Sequence, residues 1–292
     1  MRDHVEFEDR LNEVRRMVRN SLQQTSLREH VARFASSVGG GKLLRARLLL
    51  LVGAPAGVPR AVLCRTAAAV EMLHAASLVH DDVVDGGTRR RGEPALWVSE
   101  GARAAVLLGD LLVSLAAEGV QEALPSHLPL MVATLREMCD AQAEQEFAGA
   151  GADVSWDRCV EIARRKTGGL FGFAAACAGG SQPALVEALR RAGYALGTAY
   201  QLADDLLDVC PAPQVADKSL GTDSATGKLT AASAFPAAGV DPKSVIAALL
   251  QDSENELACW PKIQQAWREY VGEVVEPLVA QYTGATVLEA IA

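Results

Sequence analysis

From Arg60 to about Asp85 the chain reads as one long helical run, apolar for most of its length and closed by three carboxylates, Asp81, Asp82 and Asp85. A segment of that kind belongs in the middle of a helical bundle, with other helices packed around it. The rest of the chain agrees. Residues 5–37 read as two amphipathic stretches, with Leu11, Val14 and Val18 at i, i+3 and i+7. The turn "SSVGGGK" breaks that pattern, and an apolar helix resumes from Lys42 to Val52. Further helices are expected over residues 97–124, 127–149, 155–179, 183–209, 242–251 and 262–281, divided by Gly, Pro or Ser. No strand alternation and no β-α alternation appears. Half of the 292 residues are hydrophobic and only 5% are aromatic, which supplies a large Ala- and Leu-rich core. The expected fold is therefore all-α: a single domain over residues 1–292, a bundle of about ten helices around a central cavity.

The carboxylates that close the long run are repeated. "QLADDLLDV", from Gln201 to Val209, carries Asp204, Asp205 and Asp208 with the same Asp-Asp-x-x-Asp spacing. Asp81 and Asp85 are four residues apart, as are Asp204 and Asp208, so on a helix each pair shares one face with roughly 5–6 Å between Cβ atoms. Like charges at that spacing cost stability, and a binding role must offset the repulsion. Carboxylate oxygens at the end of an apolar helix favour Mg²⁺ over zinc or copper. Mg²⁺ takes one or two carboxylates and completes its shell with water and phosphate oxygens. Two such walls would hold a diphosphate, with an Ala-, Leu- and Val-lined cavity below for a hydrocarbon tail.

Local basic groups fit the same ligand. Lys42 and Arg45 follow the glycine-rich turn, Arg90 and Arg91 follow the first cluster, and Lys166 stands beside Thr167 in "RRKTGG". Lys218 and Lys228 lie in the long non-helical segment from Cys210 to Lys228. Any one of these alone would read as a solvated residue; together they make two diphosphate sites. His74 alone would read as a core histidine, but its spacing puts it on the face of Asp81.

The overall charge excludes other partners. A formal net charge of −8 argues against nucleic acid, which would need a basic face. Six cysteines without a C-x-x-C pair read as scattered thiols in a reducing compartment. The charged N-terminus lacks the apolar region of a secretory signal, and no window of about 18 uninterrupted apolar residues predicts a transmembrane segment. A cytoplasmic protein is expected.

The ordered blocks "GGGKLLRARL", "VEMLHAASLVHDDVVD", "TRRRGEP", "LLGDLL", "RRKTGGLFGFA", "YQLADDLLDV" and "DKSLGTD…TGKLT" span residues 39–230. Together they resemble the trans-isoprenyl diphosphate (polyprenyl) synthase family. The resemblance implies an isoprenoid-synthase fold, a homodimer, and three Mg²⁺ ions with substrate bound. It implies that Asp81, Asp85 and Asp204 are the main metal ligands, supported by Asp82, Asp205 and Asp208. Arg90, Lys166, Thr167, Gln201, Lys218 and Lys228 match positions that contact the allylic diphosphate, with Lys166 also counted in the catalytic set. Lys42, Arg45, His74 and Arg91 match the isopentenyl diphosphate site. Two positions depart from the family pattern: Ala46 replaces a proline, and Ala141 with Gln142 stands where Gly-Gln is usual.

The implied reaction joins isopentenyl diphosphate to an allylic diphosphate, geranyl or farnesyl. The allylic C–O bond ionises, the isopentenyl double bond attacks, and a proton is lost to the released diphosphate. In the family, bulky residues four or five positions before the first aspartate stop chain growth. Here those positions are Ser77 and Ala76, which favours a product of C20 or longer. A C15 product remains open if a residue near Leu111 to Leu115 closes the tunnel. A class I terpene cyclase would carry a different second motif, and a non-catalytic partner subunit would lack one aspartate cluster.

Overall fold

The computed structural model describes residues 2–31, 38, 40–147, 155–209 and 239–277, without the side chains of 2–5, 206–209 and 274. The described residues are almost entirely helical. They fall into two compact units, the first within residues 1–128 and the second beginning at Pro129.

The first unit contains α1 (Arg2–Gln23), α2 (Leu44–Gly53), α3 (Arg60–Val84), α4 (Leu96–Glu100) and α5 (Ala102–Ala123). α3 is its core, and it packs against α1, α2, α4 and α5. Leu11, Val14, Val18 and Leu22 of α1 are buried, which is the expected apolar stripe extended by one turn. Partly exposed ion pairs from Arg47 to Glu8 (2.9 Å) and Arg60 to Glu13 (2.7 Å) tie α1 to its neighbours and contribute little energy. The run expected as one helix over 97–124 is two, because Gly101 adopts φ +88°, a conformation that ends α4 and starts α5.

Arg89–Arg90 and Glu93–Pro94 form a two-stranded antiparallel ribbon where no strand was expected. Its turn residues, Arg91 (φ +53°) and Gly92 (φ +78°), are both left-handed, as a two-residue hairpin of the primed type requires. Strands of two residues are too short to show alternation. The Trp97 indole N–H donates to the Gly87 carbonyl at 2.7 Å and anchors the ribbon's approach.

The second unit contains α6 (Leu128–Phe147, whose first residue belongs to the first unit), α7 (Trp156–Ala163), a π-helical turn (Arg164–Gly168), α8 (Gly169–Ala178), α9 (Pro183–Val209), α10 (Pro242–Asn255) and α11 (Pro261–Tyr270). Every residue of α8 is buried, including Phe171 and Phe173. α8 and α9 meet along glycines. A Cβ on Gly193 would stand 2.5 Å from the Phe171 carbonyl oxygen, and one on Gly197 would stand 2.8 Å from Gly168 Cα. Only glycine allows backbones that close, and the approach sets Thr167 against Gln201. Between α11 and α10, Trp267 is buried and donates its indole N–H to Ser253 Oγ at 3.0 Å.

By length and composition alone, α3 and α5 could each cross a membrane. In α3 that window is 72% buried, as expected of a core helix; in α5 it is 33% buried. α5 buries Ala105, Leu108, Leu112, Ala116 and Val120, whereas Val106 and Leu107 are exposed.

Candidate active site

Both acidic clusters stand at helix C-termini. Asp81 and Asp82 lie in the last turn of α3, with Asp85 as its C-cap; Asp204, Asp205 and Asp208 lie near the end of α9. Neither helix has a basic residue in its last turn. The negative pole of each helix therefore adds to the repulsion among its carboxylates. A cation supplied from outside resolves both.

The two clusters share a division of labour. The second aspartate of each pair is buried and held by the protein. Asp82, 4% exposed, accepts from Arg90 Nε at 3.1 Å and from Arg90 Nη2 at 2.5 Å. Asp205, 8% exposed, accepts from Gln201 Nε2 at 2.7 Å, and Gln201 Oε1 accepts from Thr167 Oγ1 at 2.6 Å. Asp81, Asp85 and Asp204 keep partial exposure. Arg90, Gln201 and Thr167, which the family resemblance implies for the allylic diphosphate, here hold Asp82 and Asp205. Lys166, on the π-helical turn that such sites often use, donates to Gln145 Oε1 at 3.4 Å. Asp208 has no described side chain, and Lys218 and Lys228 lie outside the described residues.

Among the described residues no group of three or more His, Cys, Asp or Glu side chains could hold an ion alone. Mg²⁺ does not need one, since it takes few carboxylates and keeps positions for water and phosphate. The donor set on each helix, carboxylate oxygen at a negative helix pole, fits that ion.

The first unit also gathers the basic residues of the second expected site. Gly41 adopts φ +99°, and a Cβ there would lie 2.8 Å from Arg91 Nη2, so the glycine-rich turn lies directly against that guanidinium. Arg45, 7% exposed, is the second residue of α2, and Lys42, two residues before the helix, is exposed. Burial, then the charges of Arg45, Arg91 and Arg90, hold the half-buried His74 imidazole well below its ordinary pKa. His74 is thus a neutral group among cations, able to donate one hydrogen bond to an anion. Burial also pulls Arg91 down, opposed by Glu71. Glu71 is a buried residue of this group that the motifs did not mark; its signal was a carboxylate inside an apolar helix, three residues before His74.

The His74 environment predicts a pH effect. Below about pH 6.5 the unfolded chain takes up a proton that the native imidazole refuses. Stability therefore rises with pH up to that value, with a slope from this group of at most about 1.4 kcal/mol per unit. His74→Gln should remove that slope from thermal melts between pH 5 and 7; identical slopes in the two proteins would contradict the assignment.

Comparison with known proteins places this arrangement. Residues 28–266 match the polyprenyl synthetase family. A short chain isoprenyl diphosphate synthase of Methanothermobacter thermautotrophicus is 33% identical over 240 residues, 79% of this chain and 72% of that one. A nonaprenyl diphosphate synthase of Mycobacterium tuberculosis is 34% identical over 193 residues, 64% of this chain and 57% of that one. A polyprenyl synthase from Caulobacter crescentus, solved with calcium and isoprenyl diphosphate, superposes with a TM-score of 0.80 at 26% identity, covering 94% of this chain and 95% of its own. The chain thus spans little more than half the length of the nonaprenyl relative. By the family match and by its all-α fold, the chain belongs to the polyprenyl synthetase family of prenyl-transferring enzymes.

Proposed function

We propose that this chain, working as one domain over residues 1–292 in the cytoplasm, condenses isopentenyl diphosphate with geranyl or farnesyl diphosphate to give an all-trans product of C20 or longer. The observation that carries the reading is the paired division of labour in the aspartate clusters, in which Asp82 and Asp205 are held by protein partners. Asp81 and Asp85 on α3, and Asp204 on α9 with Asp208 in support, would each hold Mg²⁺ for a diphosphate, three ions in all with substrate bound. The solved relative with calcium and an isoprenyl diphosphate supports a divalent ion in this role. Bound Mg²⁺ would stabilise the charge that develops on the leaving diphosphate.

The chain's own residues do the rest. Lys166, together with Lys218 and Lys228, would add positive charge to the same diphosphate. Thr167 and Gln201 would fix Asp205 while presenting their polar edges to it. Lys42, Arg45 and Arg91 would grip isopentenyl diphosphate, and His74, held neutral, would donate a hydrogen bond to it. The proton lost in the last step passes to the released diphosphate.

Chain length rests on Ala76 and Ser77. Ala76 is buried and small, and Ser77 turns its hydroxyl to the His74 carbonyl at 2.9 Å, so neither presents bulk. The exposed Val106 and Leu107 on α5 support a homodimer through that helix. Incubation with isopentenyl diphosphate, Mg²⁺ and each allylic primer, followed by mass identification, tests the reading. Products of C20 or more are expected. A C15 stop would move the floor to α5, where Leu112 is buried. A cyclic product formed from the allylic substrate alone would replace the condensation with a cyclase.

A further inference from the structure

α2 begins without a cap of its own. Its N-cap residue, Leu43, is left-handed at φ +50° and offers no side-chain acceptor. The first N–H groups of a helix have no internal partner and carry its positive pole. Here Glu71, reaching from α3, accepts the Ala46 N–H at 2.9 Å. Its side chain is almost wholly enclosed, at 5% exposure. Burial pushes the carboxyl upward, and the Ala46 N–H with the charges of Arg45, Arg91 and Arg15 pulls it back. One carboxylate therefore answers a helix start and the two guanidinium groups flanking it, all within the first unit.

A carboxylate repels a diphosphate, so Glu71 is no ligand for one. Its effect has to run through the groups around it. Arg45 stands one residue from the N–H that Glu71 accepts. Arg91 comes from the hairpin turn and lies against Gly41. The helix start and the hairpin, separate in sequence, share this one acidic side chain as their neighbour, and the glycine turn joins them through its contact with Arg91. Arginine side chains lose much rotamer freedom on binding, and arranging them beforehand removes that cost.

We infer that Glu71 is a positioning residue for isopentenyl diphosphate, fixing Arg45 and Arg91, and the helix start beside them, in the geometry that grips the diphosphate. The inference rests on the assignment of that site under the proposed function, and its test is independent of turnover. Isopentenyl diphosphate alone cannot react, so its binding to the full chain is measured by titration calorimetry. Glu71→Gln retains an oxygen for the Ala46 N–H and loses only the charge. The expected result is a Kd for isopentenyl diphosphate raised about tenfold or more. The Kd for a non-ionising allylic thiolodiphosphate with Mg²⁺ should stay close to wild type. Glu71→Asp, which keeps the charge but withdraws it by one methylene, should weaken isopentenyl diphosphate alone and by less; it supplies the test if the amide variant does not fold.

Wild-type affinity in Glu71→Gln, or equal weakening of both ligands, overturns the inference. Failure of the wild-type protein to bind isopentenyl diphosphate overturns it together with the site assignment. Wild-type binding without prenyl transfer would sink the proposed function and leave the Glu71 comparison intact.

Discussion

Asp81→Asn should abolish most prenyl transfer while making the protein slightly harder to melt. Under the proposed function the substitution removes a metal ligand at the leaving group, and a loss of about a thousandfold in kcat is expected. It also removes one of three carboxylates crowded at the negative end of α3, which relieves on the order of 0.5 kcal/mol of repulsion. Asp204→Asn should behave alike at the end of α9. The combination of lower activity and higher melting temperature separates a binding role from a structural one. A variant that loses both activity and stability would show that Asp81 holds the fold instead. A variant with wild-type turnover would remove it from the metal site.

Arg90→Ala should be the most destabilising single change in the first unit's site. The Arg90 guanidinium makes a forked contact to Asp82, whose side chain is nearly enclosed. Removing it leaves a buried carboxylate without its cation, which costs about 3 kcal/mol. Asp82→Asn combined with Arg90→Ala should recover most of that loss, because the stranded charge is gone. The double variant should remain poorly active, since Asp82 then no longer orders the start of the hairpin beside Asp81. Chemical denaturation of the two variants checks the claim; equal stability of the single and double variants would contradict it.

The long elements were legible in the sequence because helical periodicity is local. The run expected from Arg60 to about Asp85 is α3 at Arg60–Val84, and the one expected over 183–209 is α9 with those same ends. Boundaries set by backbone conformation were less legible: Gly101 divides what read as one helix, and the Arg91–Gly92 turn builds a ribbon with strands too short to show a pattern. Among site residues, the aspartates and the basic groups announced themselves by spacing. Their partners did not. That Arg90 serves Asp82, that Thr167 reaches Asp205 through Gln201, and that Glu71 caps another helix are facts of three-dimensional packing, and a single carboxylate in an apolar helix carries no motif.

The proposed function requires that each aspartate cluster hold divalent ions for a diphosphate. The direct measurement is Mn²⁺ binding, read by electron paramagnetic resonance, with and without a non-ionising allylic thiolodiphosphate. The wild-type protein should bind Mn²⁺ weakly alone and tightly with the analogue, and Asp81→Asn and Asp204→Asn should each lose part of the analogue-dependent ions. Analogue-dependent binding that is unchanged in Asp204→Asn would contradict the claim and leave the first cluster as the sole metal site.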